Sequence, residues 1–119
     1  MRDRGPAPGA TGSERGIDDV CTGGYLNDAT GFFASVTGGA GNSATGVDSS
    51  VSGGLSNTAS NNQASVCGGR ENEASGADST VSGGFQNDAA GENASVSGGT
   101  GRSAPNIDDW AAGSLSEDF

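Results

Sequence analysis

The apolar positions of this chain are few, small and evenly spaced. Val36, Val51, Val66, Val81 and Val96 recur every fifteen residues, and Ala29, Ala44, Ala59, Ala74 and Ala89 recur at the same interval. Aligning the Gly-Gly pairs turns that spacing into five complete units: TGGYLNDATGFFASV (22–36), TGGAGNSATGVDSSV (37–51), SGGLSNTASNNQASV (52–66), CGGRENEASGADSTV (67–81) and SGGFQNDAAGENASV (82–96). A sixth begins at Ser97-Gly98-Gly99 and keeps Ala104 in place, while Ile17-Asp18-Asp19 and Ile107-Asp108-Asp109 share one phase. A fixed period of this kind marks a solenoid, in which each coil covers its apolar side only by stacking on the next. The pattern predicts an all-β, parallel β-solenoid (β-roll) of about six 15-residue coils. Short strands are expected around Ala-Ser-Val-Ser and, more weakly, around Asn-x-Ala-Ser, with the Val and Ala columns inside.

A helix does not fit these units. Two to four glycines in each would cost about 1 kcal/mol apiece relative to alanine, and no stripe of period 3.6 offsets that. The Gly-Gly pairs instead predict tight corners at positive φ. Asn27, Asn42, Asn57, Asn72 and Asn87 follow three residues after the second glycine. There an asparagine is expected to take left-handed geometry and to hydrogen-bond its stacked neighbours, forming a structural turn ladder.

Composition sharpens this picture. Val, Leu, Ile and Phe supply 16 of 119 residues at a net charge of −10, which in an aperiodic chain would indicate disorder. The register held over five units argues for a folded roll instead. Because each coil offers its interior only one Val and one or two Ala, a lone roll has little apolar surface to bury, so association with further copies is expected. The roll is assigned to residues 17–111, between tails at 1–16 and 112–119 that are expected to be flexible.

Charge and chemistry exclude several classes. Five arginines stand against 15 carboxylates, so a nucleic-acid partner is not expected. No stretch is apolar for long enough to insert directly into a membrane as a helix. Met1 to Thr11 carries Arg2 and Arg4 without an apolar run behind them and does not read as a signal peptide. With no histidine there is neither a Ser-His pair nor an imidazole ligand, and the abundant serines lack an evident base. No enzyme activity, cofactor or metal is expected. Cys21 and Cys67 stand 46 residues apart, about three coils or ~14 Å along the axis, too far for a disulfide. They read as small substitutes in the Val and Ser columns. Gly-Gly-x-Gly at Gly38 to Gly41 and Gly98 to Gly101 fits neither a calcium nonapeptide, which needs Asp where Asn42 and Arg102 stand, nor a phosphate loop.

The Ala-Ser-Val-Ser-Gly-Gly-x-x-Asn-x-Ala-Ser-Gly pattern, clearest from Ala64 to Gly76 and from Ala94 to Gly99, resembles the head repeats of YadA-like trimeric autotransporter adhesins. The likeness spans residues 20 to about 111, and related repeats occur in phage tail and surface fibres. The usual head repeat is one residue shorter and has an apolar-Gly step where this chain has Ser/Thr-Gly-Gly. The resemblance implies a left-handed parallel roll, three chains packed side by side and an extracellular or cell-surface location. Gly5 to Gly12 looks like a frayed collagen-like stretch, so the N-terminal tail is expected to be disordered or collagen-like.

The function expected is that of a cell-surface or fibre head domain giving rigid multivalent display and adhesion to a host or matrix surface ligand. A structural spacer without its own receptor is the alternative, and ice binding a minor one, since Thr22 and Thr37 share a column that continues as Ser52, Cys67, Ser82 and Ser97. Candidate partner contacts are Glu71, Glu73 and Asp88, whose carboxylates the period brings together, and Phe32 and Phe33 in the first unit. Tyr25, Phe32, Phe33 and Trp110 also stand where caps over the ends of the core are expected.

Overall fold

A computed structural model describes residues 23–113 in full, and the backbone alone of 11–14, 20, 21 and 115–117. Its regularity begins in the backbone hydrogen bonds. The amide of one residue donates to the carbonyl fourteen positions later, as from Ser43 to Asn57 (2.8 Å), Thr58 to Asn72 (2.8 Å) and Thr37 to Val51 (3.0 Å). Equivalent residues of successive coils therefore stack in parallel register, with Ala44 on Ala59, Ala59 on Ala74, Val51 on Val66 and Val66 on Val81. The chain is a parallel β-solenoid of about six coils with a fifteen-residue spacing and, among the described residues, no helix.

Two sheets, parallel but for the last strand of one, form its broad sides. One has seven strands, Thr11–Glu14, Tyr25–Ala29, Ser43–Ala44, Thr58–Ala59, Glu73–Ala74, Asp88–Ala89 and Ser103–Ala104. The other has eight, running from Val20–Cys21 through the Ser-Val pairs at 35–36, 50–51 and 65–66, then Thr80–Val81, Ser95–Gly98 and Trp110–Ala112, to Leu115–Glu117. Most strands are two residues long because side chains alternate across a strand: the first residue faces out, the second fills the interior, and a corner follows. A third line of single parallel bridges joins Tyr25, Ala40, Leu55, Arg70, Phe85 and Thr100. The whole is a slab measuring 44 × 22 × 11 Å between Cα extremes.

Its interior is narrow and filled by small groups. The Val and Ala columns are buried, joined by a third column of Ala34, Ser49, Ala64, Ser79 and Ala94. Where that column holds serine, the hydroxyl finds an acceptor: Ser49 donates to the Gly46 carbonyl and Ser79 to that of Gly76, each at 2.7 Å. The asparagines are also inside, fully enclosed.

Their backbone differs from the sequence expectation. Positive φ falls on the residue before each asparagine, at Leu26, Gly41, Ser56, Glu71 and Gln86, and not on the asparagine itself. The physical reason is that the Asn side chain must point inward to reach the corner carbonyls, so the turn is taken one residue earlier. A second left-handed column runs along the opposite edge through Phe33, Asp48, Gln63, Asp78, Asn93 and Asp108.

Short strands are also placed near the two ends of the described chain. Thr11–Glu14 pairs in parallel with Tyr25–Ala29, and Leu115–Glu117 returns antiparallel along Trp110–Ala112 past Gly113, whose φ is 56°. Residues 1–10, which include most of the collagen-like stretch, lie outside the described ones. The aromatic residues do not cap the core. Tyr25, Phe32 and Phe33 are each more than half exposed, Tyr25 on the line of single bridges and Phe32 and Phe33 at a corner. Trp110 lies on the outer face of its sheet, its indole N–H donating to Ser97 Oγ at 3.0 Å.

Candidate functional site

With the interior closed, function must reside on the two broad faces or the two edges. The face over the Val column presents two outward residues per coil: Ser35 and Thr37, Ser50 and Ser52, Ser65 and Cys67, Thr80 and Ser82, Ser95 and Ser97. It is a field of hydroxyls broken by the exposed free thiol of Cys67, and Ser65 Oγ lies 3.5 Å from Thr80 Oγ1. Cys21 shares strand register with Val36. The opposite face, over the Ala column, displays Asp28, Ser43, Thr58, Glu73 and Asp88.

The hydroxyl face ends at the Gly-Gly corner, where the two glycines do different work. Gly54 has φ 95°, and a Cβ there would lie 2.2 Å from the Gly69 carbonyl oxygen of the next coil. Only glycine fits that place. Gly53 has no positive φ, and a Cβ built on it meets nothing within 4 Å; the same is true of Gly23, Gly38, Gly68 and Gly83. No contact among the described residues therefore accounts for the column of first glycines. The sequence signal was present, since no unit lacks this glycine, but the sequence does not distinguish the two members of the pair.

Beyond the corner, the line of single bridges carries exposed apolar side chains at Tyr25 and Leu55. Arg70 lies over the ring of Phe85 with its guanidinium carbon 4.5 Å from the centroid, partly covering that ring. The far edge carries Phe32, Phe33, Val47 and Ile107, all exposed.

The candidate contact residues separate into two places. Glu73 and Asp88 stack in direct register on the outer side of the seven-stranded sheet. Glu71 sits two residues before Glu73 at the left-handed corner position, and its Oε1 accepts a hydrogen bond from Gln86 Nε2 at 2.9 Å. Phe32 and Phe33 stand on the opposite edge, in a coil three units earlier. Among the described residues no three His, Cys, Asp or Glu side chains are grouped to hold a metal ion, and no helix is long and apolar enough to cross a membrane. No protein-family model matches the chain, and no curated protein matches it.

Proposed function

We propose that this roll is a rigid head or fibre module that works as a homotrimer on an extracellular or cell surface, resembling YadA-like adhesin heads in left-handed coiling and in multivalent display toward a host or matrix ligand. It works by presenting surface rather than by catalysis. The observation that supports this best is the column of first glycines. Replacing glycine by alanine where the backbone permits it raises stability by about 0.4–1 kcal/mol through the unfolded state, so a chain that folds and acts alone has reason to abandon these glycines. A surface approached closely by a second backbone has reason to keep them. The hydroxyl face beside them is flat and free of large side chains, and the slab's broad dimensions of 44 by 22 Å are ample against the roughly 800 Å² per partner of a stable interface.

The test is sedimentation equilibrium on the full chain and on a Gly53→Gln, Gly68→Gln double variant, with circular dichroism to confirm that both are β-rich. A trimeric wild type and a dissociated, folded variant are expected. A folded, monomeric wild type at micromolar concentration overturns the assembly. A spacer without a receptor is the second reading, favoured by the small, uniform polar faces; it predicts the same trimer with no adhesion to any ligand surface.

A further inference from the structure

Among the positions at which the last coil departs from the repeat, three bear on groups that face along the axis, away from the roll. In the five preceding coils the ninth residue donates its amide to the eighth residue of the next coil: Thr30 to Ala44 (3.0 Å), Thr45 to Ala59 (2.9 Å), Ser60 to Ala74 (3.1 Å), Ser75 to Ala89 (3.0 Å) and Ala90 to Ala104 (3.0 Å). The ninth residue of the sixth coil is Pro105, which has no amide hydrogen to offer.

In four of those five coils the tenth residue shares the same carbonyl, as Gly76 does on Ala89 (3.1 Å) and Gly91 on Ala104 (3.0 Å). In the sixth coil this residue is Asn106, and its amide turns back to donate to Asp109 Oδ2 at 2.8 Å, while its side-chain Nδ2 donates to the same oxygen at 3.0 Å. Asp109 replaces the Ala or Ser of the third interior column and is itself buried. The asparagine ladder also stops. The Arg102 amide still donates to Asn87 Oδ1 at 2.8 Å, but a guanidinium has no acceptor to pass to a further coil.

An open strand edge is a template for pairing with another chain, and proline or a covering strand removes that template. The end of the eight-stranded sheet is covered by Leu115–Glu117, which runs antiparallel to Trp110–Ala112. On the seven-stranded sheet Ser103–Ala104 is the terminal strand, and the changes at 102, 105 and 109 surround it. We infer that the sixth coil is a built-in terminator, in which Arg102, Pro105 and Asp109 withhold the end of the ladder from end-on stacking by a second copy of the roll. This concerns contacts along the axis and is independent of lateral trimer formation.

The experiment restores the repeat's own residues in the full chain. An Arg102→Asn, Pro105→Ser, Asp109→Ala triple variant and the single variant Pro105→Ser are compared with wild type by small-angle X-ray scattering over a concentration series, with circular dichroism as the check of folding. Wild-type particles are expected to keep one length, whereas the triple variant lengthens by roughly twofold or more as concentration rises and Pro105→Ser lengthens less. The single variant leaves the buried positions unchanged and decides the matter if the triple variant loses its β signal. A wild type that already lengthens, or a folded Pro105→Ser that stays at wild-type length together with a triple variant that does not lengthen, overturns the inference.

Discussion

The backbone amide of Asn72 donates to the side-chain Oδ1 of Asn57, one coil earlier, at 2.9 Å. The Nδ2 of Asn57 bridges the Gly53 carbonyl at 2.9 Å and the Gly69 carbonyl at 3.0 Å. The same pattern recurs at Asn42 and Asn87. A column of buried amides thus ties each coil to the next independently of the two sheets, with its donors and acceptors matched. Satisfied polar networks of this kind specify one register, because a slipped coil would leave buried polar groups unpaired.

Asn57→Ala removes the acceptor of the Asn72 amide and leaves a small void. An orphaned buried donor costs about 1–3 kcal/mol, and the lost packing adds to it, so urea unfolding is expected to show a loss of roughly 3 kcal/mol. A change below about 0.5 kcal/mol, the scale of an ordinary surface substitution, would mean that the ladder is not stabilising.

The two glycines of one pair are expected to respond oppositely. Gly54→Ala sets a Cβ against the Gly69 carbonyl at a left-handed φ and is expected to lower stability by at least about 3 kcal/mol. Gly53→Ala, which meets nothing of its own roll, is expected to leave the melting temperature of the dissociated roll, measured at low concentration, within a few degrees of wild type, about the shift that 1 kcal/mol produces. Equal melting curves for the two variants would contradict the corner geometry.

Ala74 is fully enclosed, so Ala74→Leu overpacks the interior and is expected to cost about 1–3 kcal/mol. The proper control is Asp78→Asn. Asp78 is exposed but sits at φ 58°, where asparagine is tolerated and alanine adds strain. Thermal melts that place the two variants together would show the inside–outside phase to be wrong.

The stacked carboxylates Glu73 and Asp88 lie in register, about 4.8 Å apart along the axis, and a trimer would present the patch three times, letting weak sites add. Adhesion of labelled protein to a basic surface is expected to fall steeply with salt and with a Glu71→Asn, Glu73→Ser, Asp88→Ser variant. Serine already occupies the column at Ser43 and Ser103, and asparagine suits the left-handed corner at residue 71. Adhesion indifferent to both changes would remove the patch as a receptor contact and leave the spacer reading ahead.

The sequence by itself determined what stacks on what. A strict fifteen-residue period translates each position onto its equivalent along the axis, so the Val, Ala and Asn columns, the parallel register and the meeting of Glu73 with Asp88 were all legible in one dimension. What the period leaves open is the cross-section, because closing each coil is a through-space constraint between residues about seven apart. Only the tertiary structure decided that the left-handed turn falls before each asparagine, that Gly54 is sterically required while Gly53 is not, and that Tyr25, Phe32 and Phe33 project outward. It also showed why the irregular last unit matters. Arg102, Pro105 and Asp109 read as departures from the repeat in a linear alignment, and acquire the proposed role only once the direction of the inter-coil hydrogen bonds shows which backbone groups of the sixth coil face along the axis, away from the fifth.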